Sequence, residues 1–327
     1  MNKWLTRYLE GEQGNVLILV AAAMVALIGF TALAIDGGRL YSEKSMLQKA
    51  ADAGALAGAQ ELPLDSTEAE RFAKEVAEQN GVPQTNSVVE FASDKMWIRV
   101  TTSSIVEHTF GKIFGITEIP ITATAKVKLN PLTSGTGVVP IGVDIADYKV
   151  WKNCTEITLK QETPSGKNLG EECNGSNLGS GNTGALIISG NGATDYENDL
   201  EKGATVTVSK GDILEIKEGT MKQPNKRAVE ERVNSCKEIY TYNATTFLTN
   251  PPPVECAQIV TVPIYSIYEE KNNKVFKVKI EGFAKFFLLG TGDGGKEIIG
   301  RFMEFTASGD SSPTQPNYGA YGYKLVE

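Results

Sequence analysis

Residues 16–35 read VLILVAAAMVALIGFTALAI, twenty positions without a charged side chain. At 1.5 Å per residue such a run spans roughly 30 Å as a helix, about the hydrocarbon thickness of a bilayer. Glu10 and Glu12 close it on one side, and Asp36 and Arg39 on the other. A buried core helix is a poor fit to so long an uncharged stretch near the N-terminus. The rival reading is a cleaved leader: Ala32-Leu33-Ala34 has the small-x-small form of a signal-peptidase site, behind a weak basic region of Lys3 and Arg7. The length of the run, and a helical pattern that continues past the cut, favour a retained transmembrane helix at 16–35 in contact with the lipid bilayer.

Charge alone does not orient this helix. Lys3 and Arg7 precede it, and Arg39, Lys44 and Lys49 follow it. The cysteines carry the orientation. Cys154, Cys173, Cys236 and Cys256 all lie downstream, and none forms a C-x-x-C pair. An even count of this kind reads as two disulfides in an oxidising compartment. The expected topology is a single-pass cell-membrane protein with residues 1–15 cytoplasmic and the C-terminal part extracytoplasmic. Four cysteines allow three connectivities; Cys154 with Cys173 and Cys236 with Cys256 close the shortest loops.

Composition narrows the function. The 327 residues carry a net charge of −8 with no basic stripe, which argues against nucleic acid as a partner. One histidine, His108, serves the whole chain, which disfavours zinc binding and histidine-based catalysis.

After Gly37 and Gly38, helix formers dominate through Glu61, with Pro63 just beyond. Continuous from Val16, the helix would be about 70 Å long, with a possible kink at Gly38. Its second half is rich in small residues: Ala50, Ala51, Gly54, Ala57 and Gly58. Such a stripe lets helices approach closely. It suits packing on the chain's own domain or packing against related helices in an assembly, including a homo-oligomer.

Gly14-Asn15-Val16, the apolar run, Ala34-Ile35-Asp36-Gly37-Gly38-Arg39-Leu40-Tyr41 and Leu47-Gln48-Lys49-Ala50-Ala51-Asp52-Ala53-Gly54-Ala55-Leu56-Ala57 occur in that order. Together they resemble the N-terminal signature of TadE/TadG-like proteins of the Flp, or tight-adherence, pilus-assembly system. The resemblance covers about the first 60 residues. It implies a membrane-held, pilin-like protein with its C-terminal part outside and other pilus-assembly membrane proteins as partners. More loosely, the stretch from Val139 to the Tyr318-Gly319-Ala320-Tyr321 tail is similar to the exported domain of Gram-positive members. Prepilins of this kind carry Glu at the fifth position after the cleavage glycine; here Leu19 follows Gly14 and Val16 follows Gly11 at that spacing. No D-x-S-x-S metal motif of the von Willebrand A relatives is present.

Residues 36–130 read as this helix followed by a small pilin-like α+β head. Ala69, Phe72, Ala73, Val76 and Ala77 fall on one helical face, and Asn80-Gly81 ends that helix. Strands are expected at 87–92 and 96–102, a short helix carrying His108 at 106–114, and a strand with one buried face at 119–129. Residues 131–137 have linker composition. Residues 138–327 read as a mainly-β domain with one helix at 225–240 and strands at 138–143, 157–162, 185–189, 205–208, 259–268, 275–287 and 298–306. Asn272-Asn273 reads as a hairpin loop.

Two glycine-rich motifs mimic nucleotide sites. The G-x-G-x-x-G at 179–184 is followed by a strand rather than a helix. The stretch 290–296 has Glu297 where a P-loop needs a hydroxyl, and reads as a hairpin loop. Asp195, Glu197, Asp199 and Glu201 lack EF-hand spacing and read as a solvated acidic loop. No catalytic, cofactor-binding or metal-ligating residue is assigned. The expected class is α+β and the expected role a non-enzymatic, membrane-anchored, pilin-like component of a Flp/Tad-type pilus assembly or surface structure. A membrane-anchored extracytoplasmic hydrolase and a solitary surface-binding domain are the alternatives.

Overall fold

Helix α1 runs unbroken from Gln13 to Glu61. It belongs to a computed structural model that describes residues 13–160, 184–219, 221–272 and 274–326. Gly37 and Gly38 do not interrupt the helix: each points into open space, so neither forces a bend. The chain is α+β and divides into two compact units. One comprises the chain up to Gly54, Lys74–Val88 and Val100–Ala125; the other comprises Ala55–Ala73, Val89–Arg99 and Lys126–Glu327.

In the first unit the two halves of α1 behave differently. The apolar side chains of 16–35 face outward all round, with Leu17 75% and Phe30 71% exposed. Apolar surface on this scale needs a non-aqueous neighbour. α1 is the one described helix long and apolar enough to cross a membrane. From Asp36 onward one face turns inward. Leu47, Ala50, Ala51 and Gly54 are buried at the three- and four-residue spacing of a helix face. Leu47 and Ala50 join Ala77, Val82 and Ala123 in a core to which Met46 and Ile121 also pack. Helix α2, Ser66–Gln79, contributes through its alanine face and ends where Asn80 Nδ2 donates to the Val76 carbonyl.

Three strands contribute to both units: β1 (Ser87–Phe91), β2 (Trp97–Glu107) and β3 (Glu118–Pro131). In β3 the expected alternation holds: Ala123, Ala125, Val127 and Leu129 are buried. β2 is longer than the sequence suggested, and the helix expected at 106–114 reduces to a 3-10 turn at Gly111–Phe114. The β-branched residues Thr101, Thr102, Ile105 and Val106 prefer the pleated surface. The His108 N–H, donating to the Thr117 carbonyl, carries the ladder past the end of β2. His108 therefore sits in a loop and not on a helix.

The second unit holds two further sets of paired strands. Strand β13 (Ala320–Leu325) pairs antiparallel with Val127–Pro131 of β3, and β12 (Phe305–Thr306) pairs with β13, giving the order β1-β2-β3-β13-β12. Within 131–137, Leu132 is buried, and β4 (Ser134–Gly135) pairs with β7 (Val208–Ser209). The second sheet has the order β5-β9-β10-β11-β6, with β5 Val143–Asp144, β6 Ile157–Lys160, β9 Ile259–Lys271, β10 Lys274–Gly292 and β11 Glu297–Met303. β10 is long enough to hold two partners on one edge, β8 (Ile213–Glu215) and β11. Helix α3, Ile145–Trp151, follows β5. Helices α4 (Ala193–Lys202) and α5 (Lys222–Cys236) cover the sheet, with Tyr196, Leu200, Ala228 and Val229 packed on Val260, Val262, Phe286 and Leu288.

Two motif readings can be placed. Residues 290–296 form the β10–β11 connection through a 3-10 turn at Asp293–Gly295, as a hairpin. The acidic run 193–202 is a helix rather than a loop. Asp195 accepts from Gly192 N–H at its start, Glu197 pairs with Arg227, and Asp199 is buried against Ser189. Most of the 179–184 motif lies outside the described residues.

Candidate functional site

The feature that joins the apolar helix to its head lies where α1 leaves the uncharged run. The 3-10 turn at Gly111–Phe114 presents backbone N–H groups that the turn cannot satisfy itself. Asp36 supplies the acceptor. Its Oδ1 accepts from Thr109 N–H at 2.9 Å, and its Oδ2 from Phe110 at 3.0 Å and Gly111 at 2.9 Å. His108 Nδ1 stands 3.4 Å from the same Oδ2. Burial pushes the Asp36 carboxyl up, but the three N–H donors and His108 outweigh it and hold the group at about 2. Arg39, one turn on, donates from Nη1 to Thr109 Oγ1 at 2.7 Å. Gly111 is required: a Cβ there would stand 2.9 Å from His108 Cβ and 3.2 Å from the Ile116 carbonyl.

Further along α1 the contact changes to a strand edge. The chain after β13 covers β3 from Lys126 onward, where Val326 N–H donates to the Lys126 carbonyl, and not at Thr122 or Thr124. Lys44 Nζ donates to the Thr122 carbonyl, and Gln48 Nε2 to the Thr124 carbonyl at 3.0 Å. Four helical residues advance about 6 Å and two strand residues about 6.6 Å, so the two spacings match. Gln48 Nε2 is also within 2.8 Å of Asp52 Oδ1, which fixes its orientation. Thr102 Oγ1 donates to the Leu47 carbonyl at 2.9 Å between them. The polar residues on this face of α1 thus cap an otherwise open sheet edge.

The small-residue stripe is occupied by the chain's own head. Ala50 is fully buried, Gly54 is buried and Ala57 is half-buried. At Gly58, a Cβ would stand 2.6 Å from Ile98 Cδ1, 2.8 Å from the Ala69 carbonyl and 3.0 Å from Ala73 Cβ. The apolar side chains of 16–35 remain exposed, as does Tyr41 beyond them.

Cys236 and Cys256 are joined, with Cα atoms 5.1 Å apart. They lie in a cluster with Tyr240, Phe247, Phe287, Met303 and Phe305. Cys154 is disulfide-bonded as well, and Cys173 lies outside the described residues.

The sequence missed two groups of buried acids. Asp144 and Asp147 are both buried, and desolvation together with the Asp144 charge pushes Asp147 up to about 7. Asp144 caps α3 by accepting from Ala146 N–H at 2.7 Å, which gives the pair a structural role. Glu61 lines a cavity of about 540 Å³ that also holds Glu68, Arg71 and Glu255. Burial, then the Glu255 and Glu68 charges, raise Glu61 to about 7. Among the described residues, no group of three His, Cys, Asp or Glu is arranged to hold a metal ion.

Comparison with known proteins bears on α1 alone. Residues 14–61 match the Tad family model, Flp pilus-assembly TadE/G-like. The matched span is α1 almost in full and contains Asp36, Arg39, Lys44 and Gln48. Neither the curated proteins nor the solved structures yield a match.

Proposed function

We propose that the chain is a non-enzymatic, pilin-like component of a Flp/Tad-type pilus assembly or surface structure, held in the cell membrane by residues 16–35 with its remaining domains outside. The observation that carries this reading is the unbroken helix Gln13–Glu61, which is apolar and exposed in its first half and the spine of a head in its second. The family match falls on that same helix. A helix shared in this way transmits the position of the membrane rigidly to the head, because Asp36, Arg39, Lys44 and Gln48 leave no free joint between them.

In this reading the contacts with assembly partners run along 16–35, the apolar face the chain does not itself cover. The disulfide Cys236–Cys256, and the disulfide at Cys154, fit domains on the oxidising side. The first exported module is 36–130, and the mainly-β part, 138–327, is the portion presented at the surface.

A photo-crosslinking residue in place of Leu27, activated in intact cells, tests the role. Crosslinks to pilus-assembly membrane proteins or to a second copy, identified by mass spectrometry, are expected. Lipid adducts alone, from cells that make the pilus machinery, would contradict it.

A further inference from the structure

Glu61, the last residue of α1, is 9% exposed. No hydrogen bond from the described residues holds its carboxyl. What acts on it is burial, then the charges of Glu255, Glu68, Arg71 and Asp65. Three of those four neighbours carry its own sign. Buried polar groups almost always have partners, and a buried carboxylate among like charges is costly.

Glu61 and all four of those groups line one cavity of about 540 Å³, in the range of small-molecule sites, and the cavity lies within a single compact unit. Arg71 is the one cation that lines it, and it is engaged: its Nε and Nη2 donate to Glu68 Oε2 at 2.9 and 2.7 Å. Asp65 Oδ1 accepts from Thr67 N–H at 2.7 Å. Glu61 is left with Glu255 as its strongest charged neighbour. The rest of the lining comes from Ile239, Tyr240 and the proline segment 251–253. That part is firmly built. The Cys236–Cys256 bridge ties its two segments together, the Ile239 and Tyr240 N–H groups donate to the Cys236 carbonyl, and Tyr240 Oη donates to the Asn250 carbonyl at 2.9 Å.

We propose that this cavity binds a primary ammonium ion on a short alkyl chain, whose N–H groups donate to the Glu61 and Glu255 carboxylates. The three donors of an ammonium suit acids whose lone pairs are unfilled. Ile239 and the prolines contact its carbon chain. A metal ion is a poorer fit, since among the described residues no three acids are arranged to hold one. In the free protein, burial and the surrounding acids raise Glu61 to about 7, so below that value it holds a proton. The ammonium takes the place of that proton, and binding therefore strengthens as pH rises through about 7. The amine itself stays charged across this range, as lysine does with its ordinary value of about 10.4.

The full chain in detergent micelles, titrated with n-butylamine and followed by calorimetry below and above about pH 7, provides the test. Tetramethylammonium carries the charge without N–H donors, n-butanol the chain without charge, and calcium is the rival cation. Butylamine should bind saturably, more tightly on the alkaline side, and release protons as it binds; the three controls should bind weakly or not at all. Nα-acetyl-lysine amide separates the sources of the ammonium: binding as tight as butylamine assigns the site to a lysine side chain, weaker binding to a free amine. Glu61→Gln should weaken butylamine binding by about tenfold or more, the loss expected for a charge-assisted hydrogen bond, and should remove the pH dependence. Glu255→Gln, at an exposed position, should weaken binding several-fold and guards against misfolding of the Glu61 variant. No saturable response to butylamine in the wild type, an equal response to any of the three controls, or unchanged affinity in either folded variant would overturn the proposal.

Discussion

The Asp36 carboxylate accepts the backbone N–H of Gly111 at 2.9 Å, joining the last turn of the uncharged helix to a loop far along the chain. The same carboxylate takes the Thr109 and Phe110 N–H groups, so one side chain satisfies the start of a 3-10 turn that has no acceptor of its own.

Asp36→Asn should loosen this joint. An amide is a weaker acceptor than a carboxylate and brings its own N–H donors toward the backbone N–H groups. Hydrogen exchange should show faster amides at 109–111 while the β9–β10 ladder is unchanged. The wild-type interaction is also pH-dependent. The folded pKa, about 2, lies below the ordinary 3.8, so its contribution is present above 3.8 and is lost as pH falls through about 2. Asp36→Asn should lack that acid-side loss.

Gln48→Leu tests the capping of the strand edge. It leaves the Thr124 carbonyl without its side-chain donor and should cost about 1 kcal/mol by thermal unfolding. The uncovered edge should also raise the tendency to self-associate, measurable by light scattering.

Gly58→Leu separates the two readings of the small-residue stripe. The new side chain would collide with Ile98 and the Ala69 carbonyl, so the head should be destabilised by roughly 1–3 kcal/mol. Unchanged stability with altered crosslinking would instead place Gly58 against a neighbouring molecule.

Glu61 should make stability fall with rising pH. Its folded pKa of about 7 exceeds the ordinary 4.5, so the folded state holds an extra proton between them. The contribution is fully present below 4.5 and is lost as pH rises through about 7. Asp147 acts in the same direction, from 3.8 to about 7. Glu61→Gln should flatten the slope in this window without abolishing it, as read from unfolding midpoints across pH.

Reduction of Cys236–Cys256, or Cys256→Ser, should lower stability by about 3 kcal/mol, the scale expected for a loop of this size, here a separation of 20 residues. The loss should be greatest around Phe247 and Phe287, which pack beside the bridge.

Much of the first half was legible because its signals are periodic. The uncharged run, the alanine face of α2 and the alternation of β3 each report one face of one element, and local sequence suffices for that. The joint was not legible. Asp36 reads as the charge that ends an apolar run, and nothing nearby says that its acceptors meet the 109–111 backbone. The expected helix at 106–114 hid that loop, since Val106 and Phe110 fit a helical face as well as a strand end and turn. Gln48 and Thr124 show the same limit: matching helix rise to strand rise needs the two elements already side by side. In the second half, the acidic alternation at 195–201 looked solvated because its partners, Arg227 and Ser189, come from other elements.

The central claim, a retained membrane helix with its head outside, is tested most directly by labelling intact spheroplasts with a membrane-impermeant maleimide. Two variants are compared, Ile113→Cys in the exposed turn beside the joint and Lys3→Cys ahead of the apolar run. The account predicts that Ile113→Cys labels from outside, and that Lys3→Cys labels only after permeabilisation and remains on the full-length chain. Labelling of Lys3→Cys from outside, protection of Ile113→Cys, or a mature chain that has lost residue 3 together with the apolar run would contradict it.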